Sequence, residues 1–303
     1  MVRSIPGIGY CFVGFVVAFM IYDRKTRKTS AEKVYKDGSM QFLYNTTLGG
    51  VCVFFLRLPI VSRIYGMFQR TRRSKKKIDG FAQEYGIDMS RFESGFQSFN
   101  DFIIRKRTNP EIDATPGHLI APADSCLLAY TIHGGEILSV KNKNYTLSEF
   151  LKDAHMAREY DGGSFLVFRL RVYDYHRFCF IDDGTVISLK RIRGFLDSVN
   201  NAATGRFALS SNYREISVLK TASFGDVVFA EVGAMLVGRI IQTHNTGTFN
   251  KGDEKGYFEF GGSSIVVLLK KGVADIDGDI LEYSAKGIET TVEYGERIGT
   301  KRA

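Results

Sequence analysis

Three short runs limit this chain most: Ser164–Leu170 (SFLVFRL), Val227–Val232 (VVFAEV) and Ser264–Leu269 (SIVVLL). Each is rich in β-branched and aromatic residues, and Gly or Asp bounds several of the runs, so they read as strands. All lie in residues 96–303, a zone that therefore reads as β-rich. One helical interlude is expected over Leu147–Ala157, with Thr146 or Ser148 as its cap. No repeat or low-complexity tract interrupts the zone.

The chain upstream reads differently. Ile5 to Ile21 is an apolar run with Arg3 before it and Asp23-Arg24-Lys25 after it. At about 17 residues it is at the short limit for a membrane span. Three readings of residues 1–22 stay open: a membrane anchor, an over-extended start with Met20 as the true first residue, or a buried or signal-like segment. Residues 23–95 read as helical. They hold the apolar stretch Leu48 to Ile60, broken by Arg57 and Pro59, then Ile64–Phe68, then the cluster Arg70, Arg72, Arg73, Lys75, Lys76 and Lys77. Apolar residues followed by dense basic charge suit a helix lying in a lipid headgroup layer, or a packed helix with a solvated basic end. Helices in one zone and strands in the next make the fold class α+β.

Charge follows the same division. Residues 1–107 carry 19 Lys and Arg against 8 Asp and Glu, a balance of +11; residues 108–303 carry 22 against 25, a balance of −3. A basic first third attracts anionic lipid or nucleic acid. The β-rich zone that would have to carry a nucleic-acid site is slightly acidic, so nucleic acid is not the expected partner. With 44% hydrophobic residues among 303, wholesale disorder is excluded and a sizeable core is possible. The four cysteines, Cys11, Cys52, Cys126 and Cys179, form no CxxC pair and no zinc spacing with the five histidines, so no metal is expected and the thiols read as buried or free in a reducing compartment.

Gly261-Gly262-Ser263-Ser264 runs straight into an apolar strand. A Gly-Gly pair there reads as a tight turn or bulge; alternatively, the unshielded Gly262 carbonyl can be attacked by the Ser263 hydroxyl if a base takes its proton. His176, within Tyr173–Phe178, is the candidate base, because an unperturbed imidazole titrates near neutrality; a hydrogen-bonded structural histidine is the other reading. Asp124 follows a Pro-ordered turn and can orient an imidazole, or simply close the turn.

These segments, with others in order, resemble the phosphatidylserine decarboxylase proenzymes. The matching pieces are Phe99–Arg105 (FNDFIIR), Pro122-Ala123-Asp124, Asp174-Tyr175-His176-Arg177, Val232–Gly238 (VGAMLVG), Lys251–Phe258 (KGDEKGYF) and Gly261–Ser264. Each is weak alone; the ordered set over about residues 96–270 is specific. Where many members have Leu-Gly-Ser-Thr at the cleavage site, this chain has Gly-Gly-Ser-Ser, and where many carry a second histidine three residues after the first, it has Cys179. The resemblance implies a β-rich catalytic domain, 96–303, with a helical, basic, membrane-associating region, 23–95, before it. It implies self-cleavage between Gly262 and Ser263, with His176, oriented by Asp124, activating Ser263. The products would be a large chain, 1–262, and a small chain, 263–303, held as a heterodimer that itself can pair.

The resemblance also implies that residue 263 becomes a pyruvoyl group, which forms a Schiff base with phosphatidylserine and releases CO2 and phosphatidylethanolamine without metal or pyridoxal phosphate. The partner is then a phospholipid in the membrane, the place the cytoplasmic side of the cell membrane, and residues 70–77 a docking cluster. A pyruvoyl decarboxylase of a soluble amino acid would share Ser263 but not need the basic apolar zone. A serine hydrolase would keep Ser263 intact, and a non-enzymatic membrane-binding β domain would not need it.

Overall fold

Every residue of strand Ser263–Leu269 is buried, and the strand is hydrogen-bonded on both sides, antiparallel to Gly225–Gly233 and to Ser164–Leu170. In this computed structural model the described residues are 11–302 without 14, 15, 19, 33–37, 39–41, 44, 45, 57, 141, 142, 197–208, 235–238 and 260–262. A strand buried on both faces must be apolar throughout rather than alternating, which is why Ser264–Leu269 reads as a continuous apolar run. Around it lies a sheet of ten strands in the order Gly247–Phe249, Gly184–Ile192, Arg214–Thr221, Gly225–Gly233, Ser263–Leu269, Ser164–Leu170, Ser125–Thr131, Glu289–Val292, Met20–Asp23 and Lys28–Ala31. The three strands expected from sequence are all present, and the body is α+β with the sheet dominant.

Side chains alternate between two cores. Ile265, Val267 and Leu269 point into one, with Phe168 and Phe229 from the neighbouring strands. Val266 and Leu268 point into the other, with Phe165 and Val228. Two small sheets cover the first face. One is Arg177–Cys179, Glu254–Phe258 and Ile240–Gln242; the other is Ala274–Ile276, Arg297–Lys301 and His118–Ile120. Helices Leu147–Leu151 and Ala154–Glu159 cover the second face through Leu147, Phe150 and Leu151. Thr146 caps the first of them in a capping box with Glu149, as its sequence position suggests.

The upstream zone differs from its helical reading at its start. Met20–Asp23 and Lys28–Ala31 form a hairpin that extends the main sheet, with Met20–Asp23 parallel to Glu289–Val292. Ile21 and Tyr22 are buried, Tyr22 stacks on Tyr283 at 3.8 Å, and Arg24 reaches Asp277, Asp279 and Glu296 at 2.8 Å each. The end of the apolar run therefore packs as a strand; residues 1–10 lie outside the described residues. Helices follow at Thr47–Leu56, Pro59–Gln69 and Ile78–Tyr85. The last packs on helix Phe99–Ile103 through Phe81, Phe99 and Phe102.

Between the main sheet and the Glu254–Phe258 strand, Lys255 donates to Glu231 Oε1 at 2.5 Å and to Gln242 Oε1 at 2.8 Å, and its ammonium lies 5.0 Å from the Phe229 ring. Both ions are wholly buried; burial pushes the Glu231 carboxyl up and Lys255 pulls it back. Removing one partner of such a pair strands a charge. Lys255→Met should cost about 3–5 kcal/mol in urea unfolding, with much of the loss recovered in the Lys255→Met, Glu231→Gln double variant. A single-variant cost near zero would remove this pair from the forces holding the small sheet.

Candidate active site

Ser263 is the first residue of the central strand, in register with Leu170 on one side and Gly233 on the other. By alternation its side chain shares the face of Ile265, Val267 and Leu269. It is 0% exposed, and its Oγ has no hydrogen-bond partner among the described residues. A buried, unpaired hydroxyl costs about 1–3 kcal/mol, so a fold that keeps one calls for a reason. Gly261 and Gly262 lie outside the described residues.

Two chain segments carry His176 to the same end of the sheet. Strand Ser164–Leu170 stops opposite Ser263, and a five-residue turn leads from it to His176. On the other side, Phe258 N–H donates to the His176 carbonyl at 2.9 Å, five residues before Ser263. The imidazole is 0% exposed, with Nδ1 2.9 Å from the Asp174 carbonyl oxygen. A carbonyl only accepts, so in the neutral ring Nδ1 carries the hydrogen and Nε2 the lone pair. Asp174 is itself fixed. Its carboxylate takes Arg171 Nη2 at 2.8 Å and Arg171 N–H at 2.7 Å, and its carbonyl also takes Arg105 Nη2 at 3.2 Å.

The turn carrying Asp124 docks beside this segment, because the Pro122 carbonyl accepts from Cys179 N–H at 3.0 Å. Asp124 Oδ2 takes Arg107 Nη2 at 2.5 Å and Oδ1 takes Tyr294 N–H at 2.8 Å. Burial raises the Asp124 carboxyl, while Arg107 and the Tyr294 N–H pull it down. Arg107 lies 4.7 Å over the Tyr175 ring, next to His176. The structure thus brings Asp124 and His176 to one region without a hydrogen bond joining them: the imidazole's Nδ1 meets the Asp174 carbonyl instead. Burial lowers the Arg105 guanidinium to about 10, against the pull of Asp124 and Asp174, which leaves it charged at neutral pH.

Arg105, Arg107, Asp174 and Tyr294 were not among the residues singled out for chemistry. Arg105 and Asp174 stand inside the matching segments Phe99–Arg105 and Asp174–Arg177, and that was their only signal. Among the described residues no group of His, Cys, Asp and Glu is arranged to hold a metal ion.

The basic cluster divides. Arg70 pairs with Glu259, four residues before Ser263, and Lys77 donates to Gln69 Oε1 at 3.1 Å. Arg72, Arg73, Lys75 and Lys76 are exposed on a 3-10 turn anchored by buried Ser74, whose Oγ accepts from Phe99 N–H at 2.8 Å. Helices Thr47–Leu56 and Pro59–Gln69 expose Leu48, Val51, Phe54, Phe55, Ile60, Ile64, Met67 and Phe68, the last at 66%. No single described helix is long and apolar enough to cross a membrane; these two together match by length and composition, with an 82° bend between them.

The family profile of phosphatidylserine decarboxylase matches residues 99–300. Phosphatidylserine decarboxylase proenzyme 2 of Clostridium acetobutylicum is 46% identical over 288 residues, covering 93% of this chain and 99% of that protein. Phosphatidylserine decarboxylase proenzymes of Clostridium botulinum strain 657 and of Ruminiclostridium cellulolyticum are 40% and 41% identical, covering 93% and 92% of this chain and 99% and 96% of theirs.

Cys179 is buried in the core beside this site, and burial pushes its thiol up to about 12. It is a thiol and not a thiolate at neutral pH. Cys126 is buried likewise and its thiol is raised. In the folded protein both should resist iodoacetamide at about pH 8, where an ordinary thiol is partly ionised, and both should react after denaturation. Peptide mass spectrometry reads the outcome, and rapid labelling of native Cys179 would return it to consideration as a base.

Proposed function

The chain belongs to the phosphatidylserine decarboxylase family, and on that premise we propose that it cuts itself between Gly262 and Ser263 and then converts phosphatidylserine to phosphatidylethanolamine and CO2. The observation that carries this reading is the Ser263 hydroxyl, buried and without a hydrogen-bond partner among the described residues, at the head of the central strand.

In the first reaction, His176 Nε2 takes the Ser263 proton as Oγ attacks the Gly262 carbonyl carbon. The peptide C–N bond breaks, the amine of residue 263 takes a proton, and an ester joins the two residues. Removal of the Ser263 α-proton then expels the Gly262 carboxylate by breaking the Cβ–O bond, leaving dehydroalanine at 263. Water replaces its nitrogen, ammonia leaves, and a pyruvoyl group caps the new chain. A buried imidazole with Nδ1–H held by the Asp174 carbonyl presents the basic nitrogen this sequence needs. Asp124, whose charge is shared with Arg107 in the same buried region, favours the imidazolium electrostatically and is proposed as the positioning carboxylate of the site.

The keto group so formed supplies the electron sink for CO2 loss. The surrounding residues fit it: the position is dry, and Arg105, Arg107 and Arg171 stand around the histidine segment. What these residues contribute to the second reaction is exclusion of water and a proton held or returned at His176. The small chain, 263–303, stays bound to 1–262 without the peptide link. Its first strand is paired on both sides, Arg24 holds Asp277, Asp279 and Glu296, and Arg169 holds Glu289.

The exposed apolar side chains of the two helices, beside the exposed cations Arg72, Arg73, Lys75 and Lys76, support docking on the surface of the cell membrane, which we place on its cytoplasmic side, and favour a lipid over a soluble amino acid as substrate. Residues 96–303 form the decarboxylase domain on this reading, with the Met20–Ala31 hairpin built into its sheet.

Ser263→Ala should remain one uncut chain with no decarboxylase activity, and His176→Ala should slow cutting by about 10²–10⁴-fold. Intact-mass spectrometry over time reads both; a normally cut Ser263→Ala protein would falsify the assignment. Replacing Arg72, Arg73, Lys75 and Lys76 with Gln should weaken binding to phosphatidylglycerol vesicles by about 1 kcal/mol per residue near the surface, while leaving the extent of cutting as it is. Sedimentation with vesicles measures it, and equal affinity would remove the docking role.

A further inference from the structure

A cavity of about 890 Å³ opens beside the head of the central strand. Gly233, the register partner of Ser263, forms part of its wall. Among the described residues the remaining wall is cationic, with Arg63, Arg70, Arg191, Arg193 and Arg239 against the one carboxylate of Glu215. Arg70 is taken by Glu259 and Arg191 by Glu215 at 3.2 Å. Arg63, Arg193 and Arg239 have no anionic partner among the described residues, so three positive charges face a cavity of ligand-binding size without compensation.

These charges come from three separate places. Arg63 lies on helix Pro59–Gln69, Arg193 just after strand Gly184–Ile192, and Arg239 just before strand Ile240–Gln242. The Arg239 carbonyl also accepts from Glu259 N–H at 2.9 Å, which ties this wall to the segment leading into Ser263. Met67 of the same helix lines the cavity, and its neighbours Ile60, Ile64 and Phe68 are exposed. An anion seated among the arginines would thus have an apolar exit along the helix.

We propose that this cavity is the headgroup seat for the lipid substrate, in which Arg63, Arg193 and Arg239 bind the phosphodiester while the acyl chains leave past Met67. The inference rests on the proposed activity and adds the residues that select a phospholipid over free serine. Guanidinium groups match phosphate oxygens by paired N–H donors, which a solvated lysine patch does not. Because Gly233 in the cavity wall pairs with Ser263, a phosphate seated there would leave the headgroup amine on the side of residue 263.

The test uses the processed protein and sn-glycero-3-phospho-L-serine, the headgroup without acyl chains, titrated calorimetrically. Arg63→Gln, Arg193→Gln, Arg239→Gln should bind it at least about tenfold more weakly than the parent chain, and the KM for phosphatidylserine in detergent micelles should rise with a smaller change in kcat. Binding to phosphatidylglycerol vesicles, which reports bilayer docking instead, should change much less. Equal affinity for the headgroup in parent and variant overturns the proposal. So does a loss of vesicle binding that accounts for the whole loss of activity. Arg193→Lys alone guards against misfolding: partial binding supports the seat, and binding equal to the parent argues against paired recognition. Because the calorimetry needs no turnover, headgroup binding without decarboxylation would sink the activity and leave the seat standing.

Discussion

The double-sided pairing of Ser263–Leu269 is the constraint from which the rest of the molecule follows. Seven consecutive buried residues between two antiparallel neighbours leave no freedom of register, since a one-residue slip would exchange the faces carrying Ile265 and Val266. Ser263 therefore stands at a fixed point, on the face covered by the small sheet that carries the chain away from His176. The same pairing would hold the strand after the proposed cut before residue 263, because backbone hydrogen bonds and packing fix it on both sides.

Much of this was legible in the residues. Apolar runs of six or seven marked the three inner strands, Thr146 marked a helix start, and the ordered segments around His176 and Ser263 pointed to the proposed site. What escaped depended on contacts across the chain. Met20–Asp23 looks like the end of an apolar leader because its sheet partner, Glu289–Val292, is more than 250 residues away in sequence. The group that meets His176 Nδ1 is a backbone carbonyl, which every residue has, so no side-chain pattern could announce Asp174 in that role. Arg63, Arg193 and Arg239 are unremarkable singly and meet only through the folding of three segments.

Charge is buried around the histidine segment and elsewhere in the sheet. Arg105, Arg107 and Asp174 are buried about that segment, with half-buried Asp124 paired to Arg107, and Lys255 with Glu231 lies under the neighbouring strands. The face beneath Val266 and Leu268 buries charge too, with Arg214 on the carbonyls of Phe150 and Glu149 and Arg169 between Glu32 and Glu289. Burying ions is costly unless each is paired, and pairing several in one region strengthens every electrostatic interaction there. A fold selected only for stability would gain by replacing many of these pairs with hydrocarbon. Their retention at the Ser263 end fits a site that must hold a base, a carboxylate and incoming anionic groups in one dry space.

The placement of the two apolar helices completes the argument. Helix Pro59–Gln69 presents Ile64 and Phe68 outward, Arg63 and Met67 to the cavity, and ends at Arg70, which binds Glu259 on the strand-to-strand segment before residue 263. One element thus joins solvent-facing hydrocarbon, the cationic cavity and the chain leading to Ser263 within three helical turns. A surface that inserts Ile64 and Phe68 into hydrocarbon would set the cavity mouth at the depth of the phosphate layer, because helix side chains one turn apart differ in depth by only about 5.4 Å. On this geometry, the proposed docking and the proposed headgroup selection would both depend on one helix, and a lipid could present its headgroup to the arginines without leaving the bilayer.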